Sequence, residues 1–186
     1  VACGQGGTTR RLASHFSPSR VTAVNLFPDQ LRAARERAPG CRFVQMDAAR
    51  LALVDECCDL VVCVEAAFHF ETRAEFLRQS FRALKPGGQL VLSDILVTGP
   101  SVEIPDENVV SRAEYERLFE DAGFATPAIV ACRDRTWVPF RRHYFWNLVK
   151  VLEWGDALHW WRRSRQMDRG IVDYLLVATQ KPSGVA

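Results

Sequence analysis

Three groups of residues are of types that could hold or act on a small molecule. The run Ala2-Cys3-Gly4-Gln5-Gly6-Gly7 stands where a strand should turn into a helix. Glycines at such a turn accept positive φ and let the backbone come close to a ligand. No Gly-Lys-Ser/Thr follows, so the run is not a P-loop, and it lacks the full GxGxxG spacing of a dinucleotide pyrophosphate loop. A tight turn with no ligand would use the same residues. Asp47 follows the apolar-alternating Cys41 to Gln45 and suits either a ligand contact or a turn that ends a strand. His69 and Asp94 lie 25 residues apart, the spacing of a strand-helix-strand return that brings both side chains to one sheet edge. A histidine placed there can take a proton from an acceptor hydroxyl. It can equally pack between Phe68 and Phe70 as a satisfied structural residue. His15, His143 and His159 are isolated, and no metal site is expected.

The elements that must position these residues follow from hydrophobic periodicity. Thr8 to Phe16 reads as a helix, Val21 to Leu26 as a strand, and Pro28 opens a helix that stops at Pro39-Gly40. Cys41 to Gln45 is a short strand. Leu60 to Val64 is a continuous apolar run, as found in strands buried on both faces of a parallel sheet. Thr72 to Leu84 is a helix ended by Lys85-Pro86-Gly87-Gly88, and Gln89 to Leu96 is a strand. Ser111 to Ala122 is a helix closed by Gly123, and Ala128 to Cys132 and Asp173 to Thr179 are the last strands. This alternation predicts an α/β, doubly wound sheet in a single domain, since 186 residues supply one core of good size. His69 then lies just past the carboxyl end of one strand and Asp94 at the end of the next, the edge where open α/β sheets bind ligands.

Bulk chemistry narrows the function further. The chain has 24 Lys and Arg against 22 Asp and Glu, so no global charge favours nucleic acid as a partner. The six cysteines include no CxxC pair matched by a second pair, and Cys41 and Cys63 fall in or beside apolar strand-like runs; a reduced, cytoplasmic protein is expected. No apolar stretch of about 18 residues is present to span a membrane.

The order and spacing of Val1 to Gly6, Ala23-Val24-Asn25-Leu26, Gln45-Met46-Asp47-Ala48 and Leu84-Lys85-Pro86-Gly87-Gly88 resemble the class I S-adenosylmethionine-dependent methyltransferases. The resemblance runs from Val1 to about Leu96. Within that family, Val64-Glu65-Ala66-Ala67-Phe68-His69-Phe70 followed by Thr72-Arg73 looks like the natural-product and ubiquinone-biosynthesis type, whose acceptors are small molecules. The resemblance implies a Rossmann-like sheet of order 3-2-1-4-5-7-6 and S-adenosylmethionine as cofactor. Gly4 and Gly6 would line its methionine end, with Ala2 where a further glycine is common. Asn25 takes the place of an acid that binds the ribose hydroxyls, and its single acceptor predicts weaker ribose binding. Asp47 and Ala48 would meet the adenine, and Leu26 and Glu65 complete the cofactor-binding set. Related O-methyltransferases use a histidine as base and an aspartate to orient it, the roles implied for His69 and Asp94. The chain would then begin inside the family's central strand, and is expected to continue upstream into one or more helices that cover the site. A nicotinamide oxidoreductase would want GxGxxG and an acid about 20 residues on. A degenerate, non-enzymatic methyltransferase fold remains a third reading, favoured by Ala2 and Asn25 and distinguished by loss of cofactor binding.

The segment 133–165 is predicted to be a largely helical cap inserted before the last strand. Phe140, Tyr144, Leu148 and Val151 fall on one helix face, and all five tryptophans lie here. Eight Lys and Arg against three Asp and Glu give the segment a net +5. Aromatic and basic groups together suit a lipophilic or aromatic acceptor with an acidic group, or shallow contact with an anionic membrane surface. Phe68, Tyr144 and Trp146 are expected to touch the acceptor. Ordinary packing of the stripe onto the sheet is the competing expectation.

Overall fold

A computed structural model describes residues 1–99, 104–151 and 154–184. Glu153, one of the acids counted above, lies outside the described residues. Among the described residues six strands are interspersed with helices: α1 (Gly7–Ala13), β1 (Thr22–Asn25), α2 (Pro28–Arg37), β2 (Arg42–Gln45), β3 (Cys58–Val64), α3 (Arg73–Ala83), β4 (Leu84–Val97), α4 (Arg112–Asp121), β5 (Ala128–Ala131), α5 (Trp137–Lys150), α6 (Trp154–Gly170) and β6 (Ile171–Gln180). Strands β1 and β2 pair in parallel, and a second sheet runs β3-β4-β6-β5, parallel between β3 and β4 and antiparallel on both sides of β6. Residues Val1 to Cys3 run between the two: Cys3 N donates to the Val24 carbonyl at 3.0 Å and the Val1 nitrogen to the Val62 carbonyl at 2.7 Å.

Local chemistry explains where the helices start. Pro28 stands in the first turn of α2, where its missing N–H costs nothing, with Asp29 beside it and Arg35 and Arg37 in the last turn, each favourable to the helix dipole. Thr72 caps α3 by accepting from Glu75 N at 3.3 Å, and Ser111 and Glu114 form a reciprocal capping box on α4. The core forms where α3 and α4 lay Phe76, Leu77 and Phe119 against Val61, Cys63, Leu90, Leu92, Leu175 and Val177 of the sheet. Burying side chains of this size contributes about 1.5–3 kcal/mol each.

Two boundaries differ from expectation for identifiable reasons. Lys85 to Gly88 belong to β4 rather than to a helix-ending turn, because Gly87 N donates to Lys181 O and Lys181 N to Gly88 O, both at 2.9 Å, drawing the segment into the sheet. Helix α1 ends at Ala13, short of Phe16, whose ring is exposed and finds no core to hold a further turn.

All six cysteines are free thiols. Burial pushes the Cys63 thiol up to about 12, whereas Cys57 is exposed. Iodoacetamide at pH 8 should therefore label Cys57 and spare Cys63 and Cys132 until the chain unfolds; peptide mapping that found Cys63 modified as fast as Cys57 would contradict this packing.

Candidate functional site at the carboxyl edge of the sheet

The glycine loop divides its work between two glycines. Gly6 has φ +83, and a Cβ there would meet Ala34 Cα and Cβ at 2.9 Å, so this glycine permits α1 to start directly against α2. Gly4 has φ +50 and a Cβ on it would meet nothing within 4 Å: the space before it is open. Its N–H donates to Asn25 Oδ1 at 3.1 Å, which ties the loop to the carboxyl end of β1. Ala2 is also left-handed, with φ +50, a strain of about 1–2 kcal/mol that a glycine would relieve. Asn25 is buried and its amide donates to Gln30 Oε1 at 2.9 Å, so its side chain serves the loop and α2 as well as any ligand. Beside it Leu26 is 53% exposed and Phe27 60% exposed, an apolar ledge at the strand end. Phe27 and Gln30 were not legible as site residues, since an exposed phenylalanine shows only in three dimensions.

The next two strands bring their carboxyl ends to the same edge. Asp47 Oδ1 accepts from Ala49 N at 2.9 Å, which leaves Oδ2 without a partner among the described residues; Ala48 is buried behind it. Past β3, Glu65 has φ +53, donates its N–H to Ser93 O at 3.1 Å and accepts on its carboxylate from the Tyr174 hydroxyl. Burial, reinforced by the Glu65 carboxylate, pushes the Tyr174 phenol up, so it remains a hydrogen-bond donor at neutral pH. Tyr174 comes from β6, too distant in sequence to associate with Glu65 by spacing.

His69 closes a short 3₁₀ turn, Ala67 to His69, held by its N–H on Ala66 O at 3.0 Å. Its ring lies 4.1 Å from that of Phe68 and is exposed, whereas Phe68 is buried. Asp94, expected to hold the His69 ring, has both oxygens engaged elsewhere: Oδ2 takes Arg73 Nε at 2.8 Å and Oδ1 takes Ile95 N at 2.9 Å. Asp94 is 0% exposed and Arg73 2%. A carboxylate at that depth needs a charged partner and filled lone pairs. Burial pushes the Asp94 carboxyl up, and the Arg73 guanidinium opposes that shift.

Between β5 and β6 stand α5 and α6. Their base is a buried cluster of Cys132, Trp137, Ile171 and Tyr174, so the residue that reaches Glu65 also anchors the helical pair. Asp168 fastens it, accepting from Trp137 Nε1 at 2.9 Å and pairing with Arg133 at 2.6 Å and Arg141 at 2.7 Å. Phe140 and Tyr144 meet Trp160 across the helix–helix seam, with ring centroids at 6.1 and 4.6 Å. Tyr144 nonetheless remains 42% exposed and Trp146 57%. Val151 falls beyond the end of α5, so the expected stripe keeps three members within the helix.

Next to the Asp47 turn lies an open groove of about 640 Å³, lined by Arg50, Glu71, Thr72, Glu75, Arg78 and Gln79 among others. Among the described residues no three His, Cys, Asp or Glu side chains gather to hold a metal, and no helix is long and apolar enough to cross a membrane.

Comparison with known proteins bears on the family and the fold. The family described as a methyltransferase domain matches residues 1–92. Erythromycin 3''-O-methyltransferase of Saccharopolyspora erythraea is 31% identical over 204 residues, covering 89% of this chain and 65% of that protein. A fatty-acid O-methyltransferase of Mycolicibacterium smegmatis is 34% identical over 124 residues, covering 66% of this chain and 41% of the relative. The chain thus spans less than two thirds of these relatives. In structure, Haemonchus contortus phosphoethanolamine N-methyltransferase 2, in complex with phosphomonomethylethanolamine and S-adenosylhomocysteine, superposes with a TM-score of 0.79 at 20% identity, over 97% of this chain and 48% of that one.

Proposed function

The chain belongs to the class I S-adenosylmethionine-dependent methyltransferases, and we propose that it transfers a methyl group from S-adenosylmethionine to a hydroxyl oxygen of a small, lipophilic or aromatic acceptor. The observation that carries this reading is the open approach to Gly4 beside the Leu26–Phe27 ledge, on the same sheet edge as Asp47, Glu65 and His69. These residues fit the cofactor. Gly4 admits its methionine end, Asn25 keeps one lone pair of Oδ1 for a ribose hydroxyl, and the partnerless oxygen of Asp47 suits an adenine amino group. Gly6 and Ala2 shape the loop around that end, and Ala48 and Leu26 wall the adenine. Bound there, S-adenosylmethionine supplies a methyl group already activated by its sulfonium, which leaves the protein to align the acceptor and remove one proton. His69, exposed at the strand edge, takes that proton from the acceptor hydroxyl, and the imidazolium then returns it to water. Glu65, held by Tyr174 and Ser93, fixes the turn between cofactor and acceptor.

Phe68, Tyr144 and Trp146 form the acceptor side of the site, with α5 and α6 as its cap. Tyr144→Ala and Trp146→Ala should each raise the acceptor KM about tenfold, the equivalent of about 1.4 kcal/mol of lost apolar contact, with cofactor affinity unchanged. A fall in melting temperature with unaltered KM would return the segment to plain packing. Binding of low-salt anionic liposomes by the cap would support its contact with a membrane surface, and no binding would remove that variant.

The relatives acting on erythromycin and on fatty acids support an O-methyltransferase and a small acceptor as the first to try. The test is release of S-adenosylhomocysteine from S-adenosylmethionine in the presence of macrolide, fatty-acid and phenolic acceptors, scored by product mass. Release only with amine acceptors would assign N-methylation. Failure to bind either S-adenosylmethionine or S-adenosylhomocysteine would favour the non-enzymatic reading that Asn25, with its amide engaged inside the protein, leaves open.

A further inference from the structure

A buried polar chain leads from the middle of the sheet to the turn that carries His69. Asp94 on β4 holds Arg73, the first residue of α3, through Nε at 2.8 Å. The rest of the guanidinium is also occupied: Nη2 donates to Ile95 O at 2.6 Å and Nη1 to the backbone oxygen of Asn108. Arg73 adds a second tie to the same residue, its backbone N donating to Asn108 Oδ1 at 2.9 Å. Asn108 stands in the short turn Asp106–Asn108 that precedes α4, and its side-chain amide donates to Phe70 O at 2.7 Å and Phe68 O at 3.1 Å. Those two carbonyls flank His69 in the chain. Asn108 is 1% exposed, and the Tyr115 ring lies 5.6 Å from Arg73 Cζ, covering the guanidinium.

A fold that needed only a stable core would not place an arginine here, since a buried ion pair is often no more stabilising than apolar groups of the same volume. What this chain has instead is directional constraint. The bonds that join Asp94, Arg73, Asn108 and Phe68 O are buried, those to Ile95 O and Phe70 O are part-buried, and the last link grips the backbone on either side of one residue. We infer that Arg73 and Asn108 are positioning residues that set the orientation of the His69 turn, so that Asp94 acts on His69 through them rather than by touching its ring. The inference rests on the proposed role of His69 as base. Position matters at this scale because a misplacement of about 1 Å at a reacting group can cost about 100-fold in rate.

The test is a double-mutant cycle in kcat on the full-length enzyme, with Asn108→Ala and His69→Ala alone and together. Asn108→Ala should lower kcat about 10- to 100-fold, leave the Kd for S-adenosylhomocysteine within about twofold, and cost nothing further when His69 is already alanine. Asn108→Asp is the second variant: it keeps an acceptor facing Arg73 N but replaces the two donors with a carboxylate oxygen that repels Phe68 O and Phe70 O, and it should show the same non-additive loss, or a larger one. A loss of equal size in the His69→Ala background, or a lower melting temperature with unchanged kcat, overturns the positioning role. If His69→Ala alone leaves kcat unchanged, the base assignment fails instead, and the cycle separates the two failures.

Discussion

His69→Ala is expected to lower kcat by about 10²- to 10⁴-fold while leaving the dissociation constant for S-adenosylmethionine within about twofold. The size follows from what the residue is asked to do: removing a positioned general base typically costs that much. The selectivity follows from where it stands. His69 lies past β3, on the Phe68 turn, while the glycine loop, Asn25 and Asp47 belong to the loop before α1 and to the ends of β1 and β2. No hydrogen bond of the Gly4–Asn25 link or of the Asp47 turn involves His69. His69→Gln keeps size and polarity but has no basic nitrogen to take up a proton, so it should be as slow as the alanine variant. Turnover near that of the wild type in both variants would make His69 a structural residue packed on Phe68.

Gly4→Val should weaken S-adenosylhomocysteine binding by about 10- to 100-fold, with little loss of stability beyond the strain of a branched side chain at positive φ. The open space before Gly4 is what separates this prediction from a folding defect, since a Cβ there meets no protein atom within 4 Å. Gly6→Ala should behave in the opposite way. Its Cβ would meet the Ala34 backbone and side chain at 2.9 Å, so the expected result is a lower melting temperature, of the order of the 1–3 kcal/mol that overpacking costs. Equal losses of cofactor affinity in the two variants at equal stability would show that the loop does not divide its work as described.

The alternation of strands and helices was legible because apolar periodicity and proline-glycine punctuation are local signals. Pro28, Pro39-Gly40 and Gly123 marked their boundaries, and each element lies within a few residues of its expected place. The carboxyl ends of the strands, which Asp47 and His69 follow, were legible for the same reason, since parallel strands joined by helices send their carboxyl ends one way. Side-chain pairing across the fold was not. Asp94 and His69 looked like partners from spacing, yet Arg73 claims the carboxylate, because a fully buried charge is satisfied by a buried countercharge before it serves an exposed ring. Asn108 carried no signal at all: it sits in a connection with neither period nor motif. The net charge of the segment 133–165 overstates its unpaired cations, because Arg133 and Arg141 pair with Asp168, which lies just past it. Counting charges along a chain says nothing about which of them face solvent.

The most direct test of the central claim is an amide-resolved NMR titration with S-adenosylhomocysteine, followed at Gly4, Leu26, Ala48 and Glu65. The account predicts that these four resonances shift together, with one saturating isotherm, while those of Arg78 and Gln79 in the groove next to the Asp47 turn stay in place. Saturating shifts centred on Arg78 and Gln79, or no shift at Gly4 and Ala48 at saturating ligand, would contradict it.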